Sequence, residues 1–118
     1  MKRLLFFIGI AGLGLMAFKS ADTLVLKTSL TLIIRDEVGN TVEKATVKLY
    51  EKEEDYLKEV NPVAEGETDA KGVVKFKDLK AIAYYVLVRK GDKDNAGGGE
   101  QIGKLEEGKF NKATVVIQ

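Results

Sequence analysis

The chain of 118 residues contains no cysteine, no histidine and no tryptophan, and it has a single proline. Without cysteine there is no disulfide framework, no thiol nucleophile and no cysteine-ligated metal, and a lipid anchor attached through cysteine is excluded. Without histidine the chain cannot build a Ser-His-Asp or Cys-His catalytic centre, and zinc or iron loses its commonest nitrogen ligand. These absences predict a protein that is not an enzyme and that uses no cofactor.

The first residues have the layout of an export signal. Two basic residues, Lys2 and Arg3, precede an uncharged run at residues 4–18, and small residues follow. This order is typical of a secretory signal peptide, whereas a membrane-spanning helix needs about 20 apolar residues. We expect residues 1–21 to be a helical signal peptide, with an uncleaved anchor or a buried core helix as alternatives, and residues 22–118 to form one domain.

The charge balance depends on that segment. The full chain has 19 basic and 18 acidic residues, a net charge of +1. Residues 1–21 hold three basic residues and no acid, so the remainder has 16 basic and 18 acidic residues, a net charge of −2. Such a domain lacks the clustered basic excess that nucleic acids require. We expect an exported protein, periplasmic or extracellular in a Gram-negative-type bacterium or tethered to the inner membrane, that meets a membrane only through an uncleaved N-terminus.

From Ser29 onwards, apolar and polar residues alternate with a period of two, which indicates β-strands with one buried face. Glycine-containing turn sequences separate the strands, for example at residues 36–40 and 69–72. Tyr84 is expected to bury its ring and to bond its hydroxyl to a backbone acceptor. The residues predicted to face the core are Leu30, Leu32, Ile34, Ala45, Val47, Leu49, Val74, Phe76, Leu79, Tyr84, Val86, Val88, Ala113, Val115 and Ile117.

Two stretches lack this alternation. Residues 51–61 are predicted to be a loop or a short helix, with an extended strand as the alternative, and Pro62 prevents a helix from continuing. Residues 91–103 contain five glycines and are predicted to be a mobile loop. Six or seven short strands, without a helix of crossover length, favour an antiparallel β-sandwich.

Three segments of the chain resemble one known pattern. Residues 34–49 (IRDEVGNTVEKATVKL), 68–79 (TDAKGVVKFKDL) and 84–88 (YYVLV) are similar to strand and turn motifs of the carboxypeptidase regulatory-like and Cna-B-like families. The resemblance implies an all-β fold, a seven-stranded antiparallel Greek-key sandwich of the prealbumin-like (transthyretin-like) type. The chain departs from the family pattern at Lys44, where the families have glycine, and at residues 81–82, where they have Pro-Gly.

The resemblance also bears on chemistry. Enzymes that share the transthyretin-like fold use histidine, which this chain lacks. Some Cna-B-like domains close an isopeptide bond between a lysine and an asparagine, with a buried acid as catalyst and ammonia as the leaving group. By resemblance, Lys27 and Asn111 are the candidate partners and Glu43 is the candidate acid. The acidic run at residues 51–55 is expected to be a solvated surface rather than an acid–base site.

The glycine-rich loop carries candidate calcium ligands. Asp92, Asp94, Asn95 and Glu100 offer oxygen atoms at close spacing, which suits a hard cation. The later oxygen positions of an EF-hand loop are not filled. The alternative to a weak calcium site is therefore a charged loop that binds no metal.

Three tyrosines are the candidate contacts for a partner. Tyr50, Tyr56 and Tyr85 are predicted to face outward, where their rings would stack on sugars or contact a protein. The alternative is that they fit a half-buried strand surface. We expect a secreted, non-enzymatic binding or structural module of the bacterial cell envelope, with an envelope protein or a glycan as partner. A carbohydrate-binding accessory domain is the alternative.

Overall fold

The structure is a computed structural model that describes residues 27–118, so the predicted signal peptide or anchor lies outside the described residues. Eight strands and one short helix follow one another along this part of the chain. The strands are β1 (Ser29–Asp36), β2 (Thr46–Tyr50), β3 (Ala64–Glu67), β4 (Val73–Phe76), β5 (Tyr84–Lys90), β6 (Lys93–Asp94), β7 (Gln101–Ile102) and β8 (Phe110–Ile117). Helix α1 (Glu53–Lys58) lies between β2 and β3.

The strands form two sheets whose apolar faces enclose the core. The three-stranded sheet has the order β4-β1-β8, and the five-stranded sheet has the order β3-β2-β5-β6, with β7 also paired to β5. The predicted two-sheet sandwich is confirmed in outline. The prediction that it is wholly antiparallel is wrong, because β1 and β8 pair in parallel, from Ser29↔Phe110 to Asp36↔Ile117. No hairpin joins these two strands, so nothing obliges them to run in opposite directions.

The core consists of the residues that the alternation predicted. All of them are buried except Leu79 and Ala113, which are half-buried and pack against the others. Leu105, from the connection before β8, joins them. Each buried leucine or phenylalanine contributes about 1.5–3 kcal/mol. The prediction for Tyr84 is also confirmed, because its hydroxyl donates to the carbonyl of Lys80 at 3.1 Å.

Residues 51–61 contain helix α1, so the short-helix prediction is confirmed and the strand alternative is wrong. Three acids in the first turn, Glu53, Glu54 and Asp55, favour the helix through its N-terminal dipole. Glu59 ends the helix in the left-handed conformation, with φ of 54°, and Pro62 follows. The helix is therefore limited to a single short element that lies against β2 and β5.

Strand β3 has no counterpart in the sequence prediction, because its four residues, AEGE, carry no run of apolar side chains. Antiparallel pairing with β2 forms the strand, and Gly66 lets it pack closely against β4 of the other sheet. A Cβ atom at this position would lie 2.8 Å from Cγ2 of Val74, so only glycine allows β3 to approach β4 this closely. The predicted loop at 91–103 likewise contains β6 and β7, each paired with β5.

Two segments that cross between the sheets are bonded to each other through Thr68. The β1–β2 connection and the β3–β4 connection meet at this residue, which is 3% exposed. The Thr68 hydroxyl donates to the carbonyl of Val42 at 2.7 Å and accepts from the N–H of Ala45 at 2.9 Å. The main-chain N–H of Thr68 donates to the carbonyl of Ala45 at 3.0 Å. The Thr68 side chain therefore satisfies two backbone groups of the β1–β2 connection, and its main-chain N–H ties the β3–β4 connection to the same place.

The same contact requires unusual backbone at two positions. Gly72 has φ of +75°, and a Cβ atom there would lie 2.8 Å from Cβ of Thr41 and 2.9 Å from the carbonyl oxygen of Ile34. Lys44 has φ of 59°, in the left-handed region that favours glycine. Lys44 is the position where the resembled families have glycine, so the sequence departs from the family pattern while the backbone keeps a conformation suited to it.

We predict that Thr68→Val lowers the free energy of unfolding by about 2 kcal/mol, because it leaves the buried N–H of Ala45 and the part-buried carbonyl of Val42 without their partner. Thr114→Val is the matched control, since Thr114 lies on an exposed strand position and should change stability by less than about 0.5 kcal/mol. Urea unfolding of both variants measures the difference. Equal effects would contradict the role assigned to the Thr68 hydroxyl.

Candidate interaction surfaces

Helix α1 covers part of the outer face of the five-stranded sheet. Tyr50 and Tyr85 are cross-strand neighbours on β2 and β5, and Tyr56 projects from the helix onto them. The rings of Tyr50 and Tyr56 meet edge to face with centroids 5.9 Å apart, and those of Tyr56 and Tyr85 stack at 5.8 Å. With Leu87 they form a second, smaller core, which we call the tyrosine cluster.

The prediction that these tyrosines are accessible is wrong for two of them. Tyr50 is fully buried and Tyr56 is 8% exposed, while Tyr85 is half-buried. The alternation correctly placed Tyr50 on the outer face of the sheet, but it contained no information on the helix that covers this face. A glycan platform needs exposed ring faces, so this arrangement does not support the carbohydrate alternative.

Burial also determines the ionisation of the cluster. Burial, together with the nearby Glu100 carboxylate, raises the pKa of Tyr56 to about 12. Burial is likewise the main cause of the raised pKa of Tyr50. Both phenols are therefore neutral near pH 7 and are not activated as nucleophiles or bases. The Tyr50 hydroxyl has no hydrogen-bond partner among the described residues.

We predict opposite effects for two tyrosine-to-phenylalanine substitutions. Tyr50→Phe removes a buried hydroxyl without a partner and should raise the free energy of unfolding by about 1 kcal/mol. Tyr84→Phe removes a hydroxyl that bonds both the N–H and the carbonyl of Lys80 and should lower it by about 1–2 kcal/mol. Urea unfolding compares the two variants with the parent protein, and destabilisation by Tyr50→Phe would refute this assignment.

The candidate calcium ligands serve the loop itself. Asn95 is 2% exposed; its Oδ1 accepts from the N–H of Val88 at 2.9 Å, and its Nδ2 donates to the carbonyl of Val86 at 2.9 Å. Asp94 accepts from the N–H of Ala96 at 3.0 Å, and Glu100 accepts from the N–H of Gly97 at 2.6 Å. Asp92 is exposed. The Asn95 side chain thus bonds backbone groups of β5 that a neighbouring strand would otherwise bond. Its oxygen is therefore not free for a cation.

Carboxylates elsewhere are dispersed as well. Within residues 27–118, no three His, Cys, Asp or Glu side chains lie close enough together to hold a metal ion. Glu53 and Glu54 of the acidic run are exposed on α1, and Glu51 pairs with Lys80 at 3.5 Å. The run therefore forms a solvated helix end, and no concave pair of acids is present there.

The three residues of the candidate isopeptide site are not brought together. Lys27 precedes β1 and pairs with Asp78 at 3.5 Å, with its side chain 77% exposed. Asn111 donates to the carbonyl of Ser29 at 3.0 Å at the same end of the strand. Glu43 is exposed beside the far half of β1, because the N–H of the preceding Val42 donates to the carbonyl of Ile34. Ile34 lies four residues along β1 from Leu30, the register partner of Asn111, which is about 13 Å at the usual rise per residue. Glu43 cannot act as the acid for Lys27 and Asn111 in this arrangement.

We predict that no amide bond forms between Lys27 and Asn111. Lys27→Arg cannot form this bond, so the intact masses of the parent and the variant should differ only by the lysine-to-arginine change. The parent and the variant lose the same N-terminal segment if one is removed, so this removal does not change the mass difference between them. An additional difference equal to one ammonia would establish the bond and overturn this prediction. High-resolution mass spectrometry of the denatured proteins provides the measurement.

Two features that sequence reasoning missed remain on the surface. On α1 and directly after it, the apolar side chains of Leu57, Val60 and Val63 are exposed. On the outer face of the three-stranded sheet, Lys75 and Phe110 come together with the Lys75 Nζ 5.4 Å from the ring centroid. The alternation marks both as outward, but only the strand order β4-β1-β8 makes them neighbours. Among the described residues no helix is long and apolar enough to span a membrane.

Comparison with solved structures finds the same fold in larger proteins. A streptococcal ancillary pilin gives a TM-score of 0.60 at 20% identity over 90% of this chain. The Bacillus anthracis TIE protein gives 0.55 at 20% identity over 90%, and BcpA, the major pilin subunit of Bacillus cereus, gives 0.54 at 15% identity over 79%. These likenesses show that the chain has the same type of β-sandwich fold as a domain of each of these proteins.

The matched unit is a part of each of those proteins. The chain covers 35% of the streptococcal pilin, 19% of the TIE protein and 30% of BcpA. No family model matches the sequence, and no curated protein matches it. At these identities the comparisons inform the fold, and function has to be argued from the surfaces.

Proposed function

We propose that this chain is a non-enzymatic structural module of the bacterial cell envelope, of the Cna-B-like kind, that presents a fixed surface to an envelope protein. The observation that carries this proposal is the fold shared over 79–90% of the chain with two pilins and the TIE protein. In each of these proteins the matched region makes up about a third or less of the chain. The fold thus serves there as one unit of a larger protein.

The chemistry of the chain supports a role without catalysis. Histidine and cysteine are absent, the carboxylates are dispersed, and the polar side chains Asn95 and Asn111 are occupied by backbone groups. What remains for function is non-covalent contact. The basic start and uncharged run of residues 1–21 support export to the envelope.

The segment that follows β2 is the surface best suited to a protein partner. Leu57 is 70% exposed, and Val60 and Val63 are exposed beside it in the sequence. Tyr56 packs the inner side of the same helix onto the tyrosine cluster, so these apolar side chains are held on an anchored element. Exposed apolar side chains on a rigid support are typical of protein contact sites.

The proposal is tested in the native host. We expect the tagged protein in the envelope fraction, with a protein partner recovered after cross-linking. Leu57→Ser combined with Val63→Ser should reduce recovery of that partner at least about tenfold, which corresponds to about 1.4 kcal/mol.

The matched control is Val38→Ser combined with Val116→Ser, two exposed valines outside this segment, which should leave recovery unchanged. Thermal unfolding of both double variants verifies that the fold is kept. A cytoplasmic location with an intact N-terminus would overturn the envelope assignment, and equal recovery from all variants would overturn the contact surface.

A further inference from the structure

The outer face of the three-stranded sheet carries positive charge without acidic partners. Lys75 on β4 and Lys112 on β8 both lie beside Thr31 of β1 in the strand register. No carboxylate occurs among the outward-facing residues of β1, β4 and β8. The five-stranded sheet differs, because its Arg89 is paired with Glu59 through two contacts of 3.0 and 3.1 Å.

A shallow cavity of about 260 Å³ lies on this basic face at the end where β1 begins. Its walls are formed by Lys27, Lys75, Lys77, Asp78 and Phe110, with Ser29 between them. Phe110 is 68% exposed, although a large aromatic ring gains from burial. These residues together with Lys112 form what we call the basic–aromatic face, in which Asp78 is the one carboxylate and is paired with Lys27.

Ser29 provides a second, independent sign that this cavity receives a ligand. The residue is 3% exposed, and its hydroxyl has no hydrogen-bond partner within residues 27–118. Buried polar groups are normally paired, so an unpaired hydroxyl in a lysine-lined cavity calls for an explanation. An anionic oxygen that displaces the flexible lysine side chains would give this hydroxyl an acceptor.

The N-terminal run brings a membrane within reach of this cavity when it is retained as an anchor. The uncharged run ends at Phe18, and eight residues separate it from Lys27. Eight residues span at most ~29 Å when fully extended. Whenever the run lies in a bilayer, the cavity end of the domain is therefore held close to the headgroups.

We propose that the basic–aromatic face docks on the phosphate headgroups of an anionic membrane. Lys75, Lys77 and Lys112 approach the headgroups, where each basic residue adds to the attraction. The Phe110 ring inserts at the interface, as amphipathic anchors do. The proposal rests on the envelope location proposed above, and it adds a membrane contact to the N-terminal one that the sequence predicted.

The chain has no tryptophan, which provides a direct probe. Phe110→Trp in the full chain places a single fluorophore on the basic–aromatic face. We expect its emission to shift to the blue, and to be quenched by brominated lipid, on vesicles of phosphatidylcholine mixed with phosphatidylglycerol. On vesicles of phosphatidylcholine alone the emission should stay that of an exposed ring. The N-terminal run can insert into both kinds of vesicle, so the probe reports docking of the face separately.

Matched variants identify the cause. Leu57→Trp, on α1 over the other sheet, should keep an exposed emission on both kinds of vesicle. In the Phe110→Trp background, Lys75→Gln with Lys77→Gln should lower the ratio of docked to undocked protein about 30-fold. Lys48→Gln with Lys90→Gln, from the five-stranded sheet, should change it less than about twofold. Ser29→Ala should weaken docking without lowering stability.

The remaining outcomes overturn the proposal. Equal emission spectra of the Phe110→Trp variant on neutral and anionic vesicles would remove the role of charge. A response to inorganic phosphate in solution, without a response to anionic vesicles, would assign the cavity to a soluble phosphate ligand instead. If the protein is found in the host envelope but does not dock on anionic vesicles, only the membrane-docking proposal is refuted. A cytoplasmic location would refute the proposed envelope function as well.

Discussion

The fold depends on how the chain satisfies its backbone where it leaves one sheet for the other. Crossing segments have no ladder partner, and buried N–H and carbonyl groups without partners are costly. Thr68 meets this need where two crossings touch: its buried hydroxyl bonds Val42 and Ala45 of the β1–β2 connection, and its own N–H bonds Ala45. Tyr84 does the same beside Lys80 at the crossing that leads into β5. The sheets are thus joined by side chains as well as by apolar packing.

The same requirement explains why the candidate chemical sites do not assemble. Asn95 was a candidate cation ligand and Asn111 a candidate isopeptide partner, yet both side chains bond backbone groups. An amide that bonds several buried or half-buried backbone groups loses those bonds if it turns to a metal or a lysine, and each loss is unfavourable. In a chain without histidine and cysteine, the polar side chains most suggestive of chemistry are those that complete the architecture.

The sequence alone predicts the features that depend on neighbouring residues, and it does not predict those that depend on contacts between distant parts of the chain. Period-two alternation is local, and it correctly predicted buried residues such as Leu32 and Val86. The cover over Tyr50 comes from a helix that packs across strands, and the parallel pairing of β1 with β8 joins the two ends of the domain. Both contacts join residues that are distant in the sequence, so the local pattern of apolar and polar residues does not indicate them. Gly66 is required by the close packing of β3 on β4, but a single glycine in the sequence does not indicate which residue packs against it.

The two outer faces of the sandwich differ in a way that makes the two proposals compatible. The tyrosine cluster and α1 lie on the five-stranded sheet, and Leu57 is exposed on that side. The basic–aromatic face lies on the three-stranded sheet, on the opposite side of a core about 10 Å thick. A domain that docks through Lys75 and Phe110 therefore turns Leu57 away from the bilayer. Membrane docking then leaves the apolar segment accessible and orients it toward a partner in the envelope.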